Sequence, residues 1–314
     1  MIEKSKGLKV VESEPAATGK KTGITTPSQH PFPVFALCPP VYVDNAIKNN
    51  IWMKGENQKI DKDKFMGQWY NLYNVLAANS LVYLITPVKG LQDQTYVNSF
   101  AYLPNVKPDT IVLSNFTAAG RSGEEDVAGS LFKDLGYTVV QCPYKFEGEP
   151  ELKYIRDNIY IGGYGIRTDI KAHKWLTDTY GCKIISAKTT EKLYHLDCLV
   201  FPMSKEKVMV CTEAFSPETV KEIEKVAQVV PVALKDGDRG ICNSLMVEQC
   251  VYNASSLQFM KKTDEDYEQE RSKCEHLEKI CRDLGFELLF FDLSECEKSG
   301  AQLSCFVSHL NMKY

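Results

Sequence analysis

The segment KDLGYTVVQCP (residues 133–143) joins the end of a polar, helix-like pattern to a run of β-branched residues through a single glycine. The same order recurs in TDTYGCKIISA (residues 177–187) and in RDLGFELLFFD (residues 282–292). Straight-chain and charged residues before each glycine favour a helix, and the β-branched or aromatic residues after it favour a strand. Each glycine is therefore predicted to be a left-handed cap that ends a helix.

The three glycines are Gly136, Gly181 and Gly285, which are 45 and 104 residues apart. These intervals are close to one and two units of about 50 residues, as a repeated strand–helix module would produce. The alternative is that the recurrence is ordinary, because helices of any α/β protein commonly end at glycine. Both interpretations assign the chain to the α/β class.

From residue 31 onward, short apolar runs alternate with polar helical segments, which predicts a single domain over residues 31–314. Residues 1–30 are polar and rich in Lys, Thr, Ser and Pro, so we expect a flexible tail. No glycine-rich phosphate loop follows the first predicted strand, which argues against a nucleotide-binding fold. Helices are predicted in GEEDVAGSLFKDLG, DIKAHKWLTDTYG, SPETVKEIEKVAQ and TDEDYEQERSKCEHLEKICRDLG.

Composition excludes several classes of partner. The formal net charge is -4 and the pI is about 5.8, so the chain lacks the basic surface expected of a nucleic-acid-binding protein. No apolar run approaches the roughly 18 residues that a membrane helix needs. The first thirty residues contain no apolar segment typical of a signal peptide. Together with eleven cysteines that form no CxxC pair, this predicts free thiols, no zinc site and a cytoplasmic location.

Cys305 lies in LSCFVSHL (residues 303–310), which reads as the last strand. A cysteine on a strand is usually small apolar filler, so a catalytic interpretation needs a partner for the thiol. Of the five histidines, His195 is the best candidate, because on a strand it would share one face with Asp197. A histidine beside a carboxylate can act as a base, although a core histidine with an incidental acid is the alternative.

A second set of acids follows the strand in YTVVQCP. Glu147, Glu149 and Glu151 alternate through a turn that contains glycine and proline. Carboxylates at the end of a strand are well placed to hold a cationic ligand through charge-assisted hydrogen bonds. A solvated acidic loop is the alternative, and we expect it to describe two of the three glutamates.

Four motifs now stand in order: FEG-x-x-E (146–151), IYIGGYGIRT (159–168), HLD (195–197) and G-x-x-x-x-C (300–305). This order resembles the guanidino-group-modifying enzymes, a superfamily of arginine deiminases, dimethylarginine dimethylaminohydrolases, arginine dihydrolases and amidinotransferases. The likeness extends over residues 32–314. It implies the pentein fold, a five-bladed α/β propeller in which pseudo-repeated strand–helix modules surround a central active site.

The resemblance also implies roles for individual residues. Cys305 matches the nucleophile that attacks the guanidinium carbon, His195 the general acid/base, and Glu147 the carboxylate that binds the guanidinium beside the histidine. Asp93 matches a residue that grips the guanidinium or amine of the substrate, and Arg121 one that pairs with its carboxylate. The full set of implied substrate-binding residues is Asp93, Asn98, Ser99, Arg121, Glu151 and Asp197.

The chain departs from the superfamily pattern at several positions. Ser99 stands where many relatives carry Asp or Asn, so we expect N-substituted arginines to be turned over at least as well as arginine. The alternative is that Ser99 lies outside the pocket. Glu151 takes the place of the usual Asp, and Ser299-Gly300 replaces a Gly-Gly pair. The resemblance implies a cysteine-dependent hydrolase of arginine or a substituted arginine. An amidinotransferase and a non-catalytic propeller-fold binding protein are the alternatives.

The nucleophile, the acid/base and the carboxylates suffice for this chemistry, so we expect neither a metal nor an organic cofactor. The expected partner is a small guanidino substrate, with no nucleic acid and no membrane. The sequence leaves the oligomeric state open, and a homo-oligomer is one alternative.

Overall fold

The computed structural model describes residues 26–53, 59–118 and 120–312, and within them the strands form five three-stranded sheets. In each sheet the middle strand pairs antiparallel with one neighbour and parallel with the other. A helix connects the two parallel strands, since parallel neighbours need a crossover. The predicted five-module α/β pentein fold is therefore confirmed.

The first two modules comprise the following elements. Module 1 contains β1 (Val34–Leu37), α1 (Lys62–Asn79) and β2 (Leu81–Leu84). Module 2 contains β3 (Phe100–Tyr102), β4 (Thr110–Leu113), α2 (Glu124–Asp134) and β5 (Thr138–Gln141).

The remaining modules follow along the chain. Module 3 contains β6 (Leu152–Arg156), β7 (Ile159–Tyr164), α3 (Ile170–Tyr180) and β8 (Lys183–Lys188). Module 4 contains β9 (Val200–Pro202), β10 (Lys207–Cys211), α4 (Pro217–Glu224) and β11 (Gln228–Val232), with the short α5 (Leu234–Gly237) after it. Module 5 contains β12 (Leu245–Val247), β13 (Cys250–Ala254), α6 (Tyr267–Leu284), β14 (Glu287–Phe291) and the short α7 (Ser294–Glu297).

The last strand closes the ring of modules. β15 (Ser308–His309) pairs antiparallel with β1, where Phe35 lies opposite His309. The C-terminal strand thus supplies the antiparallel neighbour that the first module lacks. This long-range pairing draws the segment that carries Cys305 into the centre of the fold.

The glycines that suggested the repeat behave as predicted. Gly136, Gly181 and Gly285 have φ angles of +85°, +74° and +78°, which is the left-handed region that ends helices. They follow α2, α3 and α6, the crossover helices of modules 2, 3 and 5. The two sequence intervals therefore correspond to one and two modules.

The core lies between the sheets and the crossover helices. All four residues of β4 are buried, and α2 packs on this sheet through Ala128, Gly129 and Phe132. Gly129 lets the helix approach the sheet closely, because a Cβ atom there would lie 3.0 Å from a methyl carbon of Leu113. Such close packing fixes each helix on its sheet and holds the connecting loops in place.

Two expectations need correction. Residues 26–30 were assigned to the flexible tail, yet Ser28 is buried and its backbone N–H donates to the hydroxyl of Tyr137 at 3.0 Å; residues 1–25 lie outside the described residues. The short strands β3, β6, β12 and β13 and the helix α1 were also not predicted. β3, β6 and β12 each pair with the strand that follows them in the chain, but β3 and β12 have only three residues each, too few to show a strand pattern.

The connections between modules position the candidate site. Each one begins after the strand that follows the crossover helix of a module, and all five converge on the centre of the ring. They hold, in chain order, Asp93 (after β2), Glu147 (after β5), His195 (after β8), Asn243 (after β11) and Cys305 (after β14).

Candidate active site

Cys305 lies in a 3-10 helix, Leu303–Phe306, and not on the predicted final strand. The strand begins only at Ser308, because the helical turn first bonds to the side chain of Asn243. The backbone N–H of Ser304 donates to Asn243 Oδ1 at 2.8 Å, and Asn243 Nδ2 lies 3.9 Å from Cys305 Sγ. Asn243 therefore orients the thiol, and no sequence motif pointed to it.

Burial controls the ionisation of this thiol. The side chain of Cys305 is 8% exposed, and burial together with the nearby charge of Asp197 raises its pKa to about 12. A thiol in this state is protonated at neutral pH and is a weak nucleophile. A bound cation beside the sulfur would favour the thiolate, so activation depends on the substrate.

This electrostatic state predicts how Cys305 reacts in the free protein. The rate of alkylation by iodoacetamide should rise about ten-fold per pH unit without levelling off near the value of about 8.5 that is usual for cysteine. The measurement is peptide mass spectrometry of the Cys305 peptide after timed labelling between pH 7 and pH 11. Free cysteine in the same buffers is the control, and a plateau for Cys305 below pH 9 would contradict the raised pKa.

His195 makes a buried hydrogen bond with Glu147, with Nε2 and Oε2 2.7 Å apart. The sequence had instead placed His195 on a strand, with Asp197 on the same face as its partner. The chain turns into a 3-10 helix at Leu196–Cys198, which ends any strand alternation. Asp197 instead accepts a hydrogen bond from the hydroxyl of Ser304 at 2.6 Å.

Glu147 is an ionised carboxylate despite complete burial. Burial opposes its ionisation, but the hydrogen bond from His195 and the positive charge of Arg167 outweigh this effect and lower its pKa to about 2. A charged acceptor fixes the orientation of the histidine ring. The pair is therefore suited to general acid/base catalysis.

Two motif glycines allow the acids to pack at the centre. Gly148 has a φ angle of +62°, and a Cβ atom on it would lie 2.4 Å from the carbonyl oxygen of Phe100. A Cβ atom on Gly163 would lie 2.3 Å from Glu151 Oε2. The glycines of the FEG and IYIGGYG segments are thus needed for close approach around Glu147 and Glu151.

The expectation that two of the three glutamates are solvated is wrong. Glu147, Glu149 and Glu151 are 0%, 6% and 0% exposed. Glu149 bonds to His309, with Oε1 and Nδ1 2.6 Å apart. Neither side-chain oxygen of Glu151 has a partner in the described residues, and burial and the charges of neighbouring acids raise its pKa well above the usual value.

A small cavity of about 30 Å³ lies directly against Cys305 and His195. Asp93 and Asn98 also line it, and both side chains are buried. Asp93 Oδ1 and Asn98 Oδ1 have no hydrogen-bond partner in the described residues. Buried acceptors are costly to leave unpaired, so the cavity is prepared for a ligand with N–H donors.

Arg121 lines the same cavity but is held by other parts of the protein. Its Nε and Nη2 atoms donate to Glu124 at 3.1 and 2.7 Å, and Nη2 also donates to the carbonyl oxygen of Tyr96. Both partners of this ion pair are almost fully buried. Arg121 thus anchors the start of α2 and contributes a fixed positive charge to the cavity, while a contact with a substrate carboxylate remains a prediction.

Arg167 is a residue that the sequence analysis missed, although it lies in the quoted IYIGGYGIRT motif. Its guanidinium group donates to Glu147 at 3.1 Å and to the backbone oxygen of Asn49 at 2.5 Å. It also lies over the ring of Tyr194, 4.6 Å from the ring centre. Arg167 therefore closes the small cavity on one side.

Three of the implied substrate-binding residues do not line this cavity. Ser99 is buried next to Asn98, and its backbone oxygen accepts a hydrogen bond from Ser114 N. Glu151 packs behind the site against Gly163. Asp197 lines a larger neighbouring cavity together with Cys305. Ser99 therefore makes no contact with the small cavity through which it could set substrate specificity.

The described residues contain no group of three His, Cys, Asp or Glu side chains that could hold a metal ion. In the same part of the chain, no helix is both long and apolar enough to cross a membrane. All eleven cysteines are free thiols, although the sulfur atoms of Cys211 and Cys242 are only 3.9 Å apart.

A ring of five strand–helix modules around a Cys–His–Glu site defines the guanidino-group-modifying superfamily. Comparison with protein families supports this superfamily and identifies one family within it. The family model of eukaryotic N,N dimethylarginine dimethylhydrolase matches residues 35–311, and the chain belongs to that family.

Individual relatives are more distant. The chain is 29% identical over 278 residues to the bifunctional arginine dihydrolase/ornithine cyclodeaminase AgrE of a Nostoc species, a match that covers 86% of this chain and 37% of AgrE. It is 24% identical to the N(G),N(G)-dimethylarginine dimethylaminohydrolase of Mycobacterium tuberculosis, with 86% and 83% covered. The chain thus spans little more than a third of the length of AgrE.

Solved structures show the same architecture. Unliganded AgrE superposes with a TM-score of 0.76 at 28% identity, over 90% of this chain and 40% of AgrE. A Pseudomonas aeruginosa DDAH variant in complex with citrulline superposes with a TM-score of 0.67 at 14% identity, over 88% of this chain and 99% of that chain. The second likeness shows the fold alone.

Proposed function

We propose that this protein hydrolyses the guanidino group of arginine or of an N-substituted arginine, with Cys305 as the nucleophile. The observation that carries the proposal is the small cavity, where Cys305 and the Glu147-bound His195 face the unpaired acceptors of Asp93 and Asn98. A planar cation with several N–H donors is the ligand that such acceptors favour. The sequence relatives, an arginine dihydrolase and a dimethylarginine dimethylaminohydrolase, support the same substrate class.

The geometry supports a two-step reaction. The thiol of Cys305 loses its proton to His195 once the cation is bound, and the thiolate adds to the guanidinium carbon; the bond from that carbon to one nitrogen then breaks, and His195 passes the proton on to the leaving amine. Water next loses a proton to His195 and attacks the same carbon, and the carbon–sulfur bond breaks to release a urea-type product. Glu147 keeps His195 oriented and stabilises its charged form.

Substrate entry requires Arg167 to move. An open groove of about 690 Å³ lies outside the small cavity, and Asn49, Arg167 and Tyr194 line both. Arg167 could exchange its contacts with Glu147 and the backbone oxygen of Asn49 for contacts with an incoming molecule. This exchange would open the path between the groove and the small cavity. Arg167 and Arg121 both line the small cavity, so a released Arg167 could pair there with an α-carboxylate through two parallel hydrogen bonds.

The test is an assay of the purified protein with arginine, methylated arginines, agmatine and guanidinoacetate. Released ammonia or alkylamine and the urea-type product are both quantified. Hydrolysis of arginine or a methylated arginine, with little activity on agmatine, is the expected result. Product that forms only when glycine is present as an acceptor would show an amidinotransferase, and no product with any compound would favour the non-catalytic alternative.

Asp93 should control substrate binding. We expect Asp93→Asn to raise KM by roughly 10–100-fold, because a charge-assisted hydrogen bond to a guanidinium or ammonium group is worth about 1.5–3 kcal/mol. Burial raises the pKa of Asp93 in the free protein, so a cationic substrate should also restore its charge. Steady-state kinetics with arginine and monomethylarginine measure this effect. Asp109→Asn, at an exposed position, is the control, and an unchanged KM in Asp93→Asn would remove Asp93 from the binding site.

The cytoplasmic location also stays a proposal. The eleven free cysteines support it, because thiols persist in reducing compartments. Cell fractionation with an antibody against the protein is the direct measurement.

A further inference from the structure

A second cavity meets the nucleophile. It has a volume of about 390 Å³ and shares Cys305 and His195 with the small cavity. We call it the large chamber; beside the thiol its wall contains Asp197, Cys198 and Asn243. One water molecule needs roughly 10–15 Å³, so the large chamber has space for a group of many atoms. The hydrolytic mechanism itself requires only a single water there.

The two cavities differ in charge. The small cavity contains two cations, Arg121 and Arg167, and one acid, Asp93. The two arginines suit the carboxylate of an amino acid. The large chamber is lined by more acids than bases. Its carboxylates are Asp197, Asp238, Asp266, Glu270 and Glu297, and its cations are Lys192 and Arg239.

This asymmetry orients a substrate. With the carboxylate end held near Arg121 and Arg167, the guanidinium carbon lies at Cys305, and the nitrogen farthest from the amino-acid end faces away from the arginines. The large chamber is the empty space next to Cys305 that remains on this side. An acidic chamber also suits the leaving group, since an alkylamine becomes a cation once it is protonated.

We propose that the large chamber receives the substituent on the terminal guanidino nitrogen, so that the substrate class includes arginines whose terminal N-alkyl group is larger than methyl. The proposal rests on the proposed hydrolase function and specifies its leaving group. The carbon–nitrogen bond to the substituted nitrogen breaks, His195 supplies the proton, and the amine departs into the chamber. Water replaces it, so substrate and water become a urea-type product and an alkylammonium ion.

The experiment compares arginines with terminal methyl and propyl substituents. Released methylamine and propylamine are quantified after derivatisation, and kcat/KM is determined for each. Gln269→Trp places an indole ring at an exposed position of α6 that lines the chamber, and Glu278→Trp places the same ring at an exposed position of α6 outside it. Thermal melting of both variants confirms that they fold.

We expect the wild type to use the propyl substrate within about ten-fold of the methyl substrate. Gln269→Trp should lower kcat/KM for the propyl substrate by about ten-fold or more, because the ring fills space that the substituent needs. It should leave the methyl substrate nearly unaffected, and Glu278→Trp should change neither value.

Three results would overturn the inference. Turnover of the methyl substrate without any turnover of the propyl substrate would show that the chamber does not receive the substituent, while the hydrolase function would stand. Equal losses for both substrates in the folded Gln269→Trp variant would show the same. Failure of the wild type with arginine and both derivatives would reject the proposed hydrolase function, and this inference with it.

Discussion

Cys305→Ser should abolish turnover of every guanidino substrate while the protein remains folded. A serine hydroxyl is far less acidic than a thiol and forms no comparable nucleophile at neutral pH. The loss should reach the limit of detection. Among the described residues, no other group of comparable reactivity lies where the two cavities meet. Steady-state assays with arginine and monomethylarginine, together with circular dichroism, provide the measurement.

Cys281→Ser is the matched control for this change. Cys281 is also buried, and burial raises its pKa to about 12, as it does for Cys305. It packs in the hydrophobic core on α6, away from both cavities. Its replacement should lower stability slightly and leave kcat/KM unchanged. Residual turnover in Cys305→Ser comparable to that of Cys281→Ser would reject the nucleophile assignment.

The repeat could be predicted from sequence because its signals are local. A helix that ends at glycine before a β-branched run needs only a few neighbouring residues, and Gly136, Gly181 and Gly285 adopt the left-handed conformation that the pattern predicts. Strands β12 and β13 lack such a signal, since one has three residues and the other five. β13 pairs with β14, which lies beyond the whole of α6, and β12 pairs in turn with β13.

The candidate catalytic residues were found, but their contacts were not. Local alternation suggested Asp197 as the partner of His195, whereas the actual partner, Glu147, lies 48 residues earlier in another inter-module connection. Arg167 and Asn243 could not be predicted for the same reason, because each reaches the site only when the ring of modules closes. Sequence motifs identify the chemistry of such a site, while the closure of the ring determines which acid serves which base.

Glu147→Gln should reduce kcat by roughly 10²–10⁴-fold, the range typical of losing acid/base support. The amide cannot carry the negative charge that stabilises a protonated His195, although it keeps the shape and can still accept a hydrogen bond. The substitution also removes the ionic partner of Arg167, so KM should change as well. Comparing kcat with KM in steady-state assays separates the two effects.

Glu149→Gln is a closely matched control. Glu149 is also buried, and it is also bonded to a histidine, His309, which lowers the pKa of its carboxyl group.

Folding lowers the pKa of each of these carboxyl groups below the value in the unfolded chain, which is near 4.5 for glutamate. Such a group stabilises the protein at pH values above the unfolded pKa, and this stability is lost as the pH falls through the folded pKa. As the pH falls below 5, the free energy of unfolding should therefore fall less steeply in both variants than in the wild type, as urea titrations would measure. Turnover should separate them, since Glu149 lines neither cavity and should retain most of its kcat as glutamine. Equal losses of kcat in the two variants would show that Glu147 supports the structure and does not take part in catalysis.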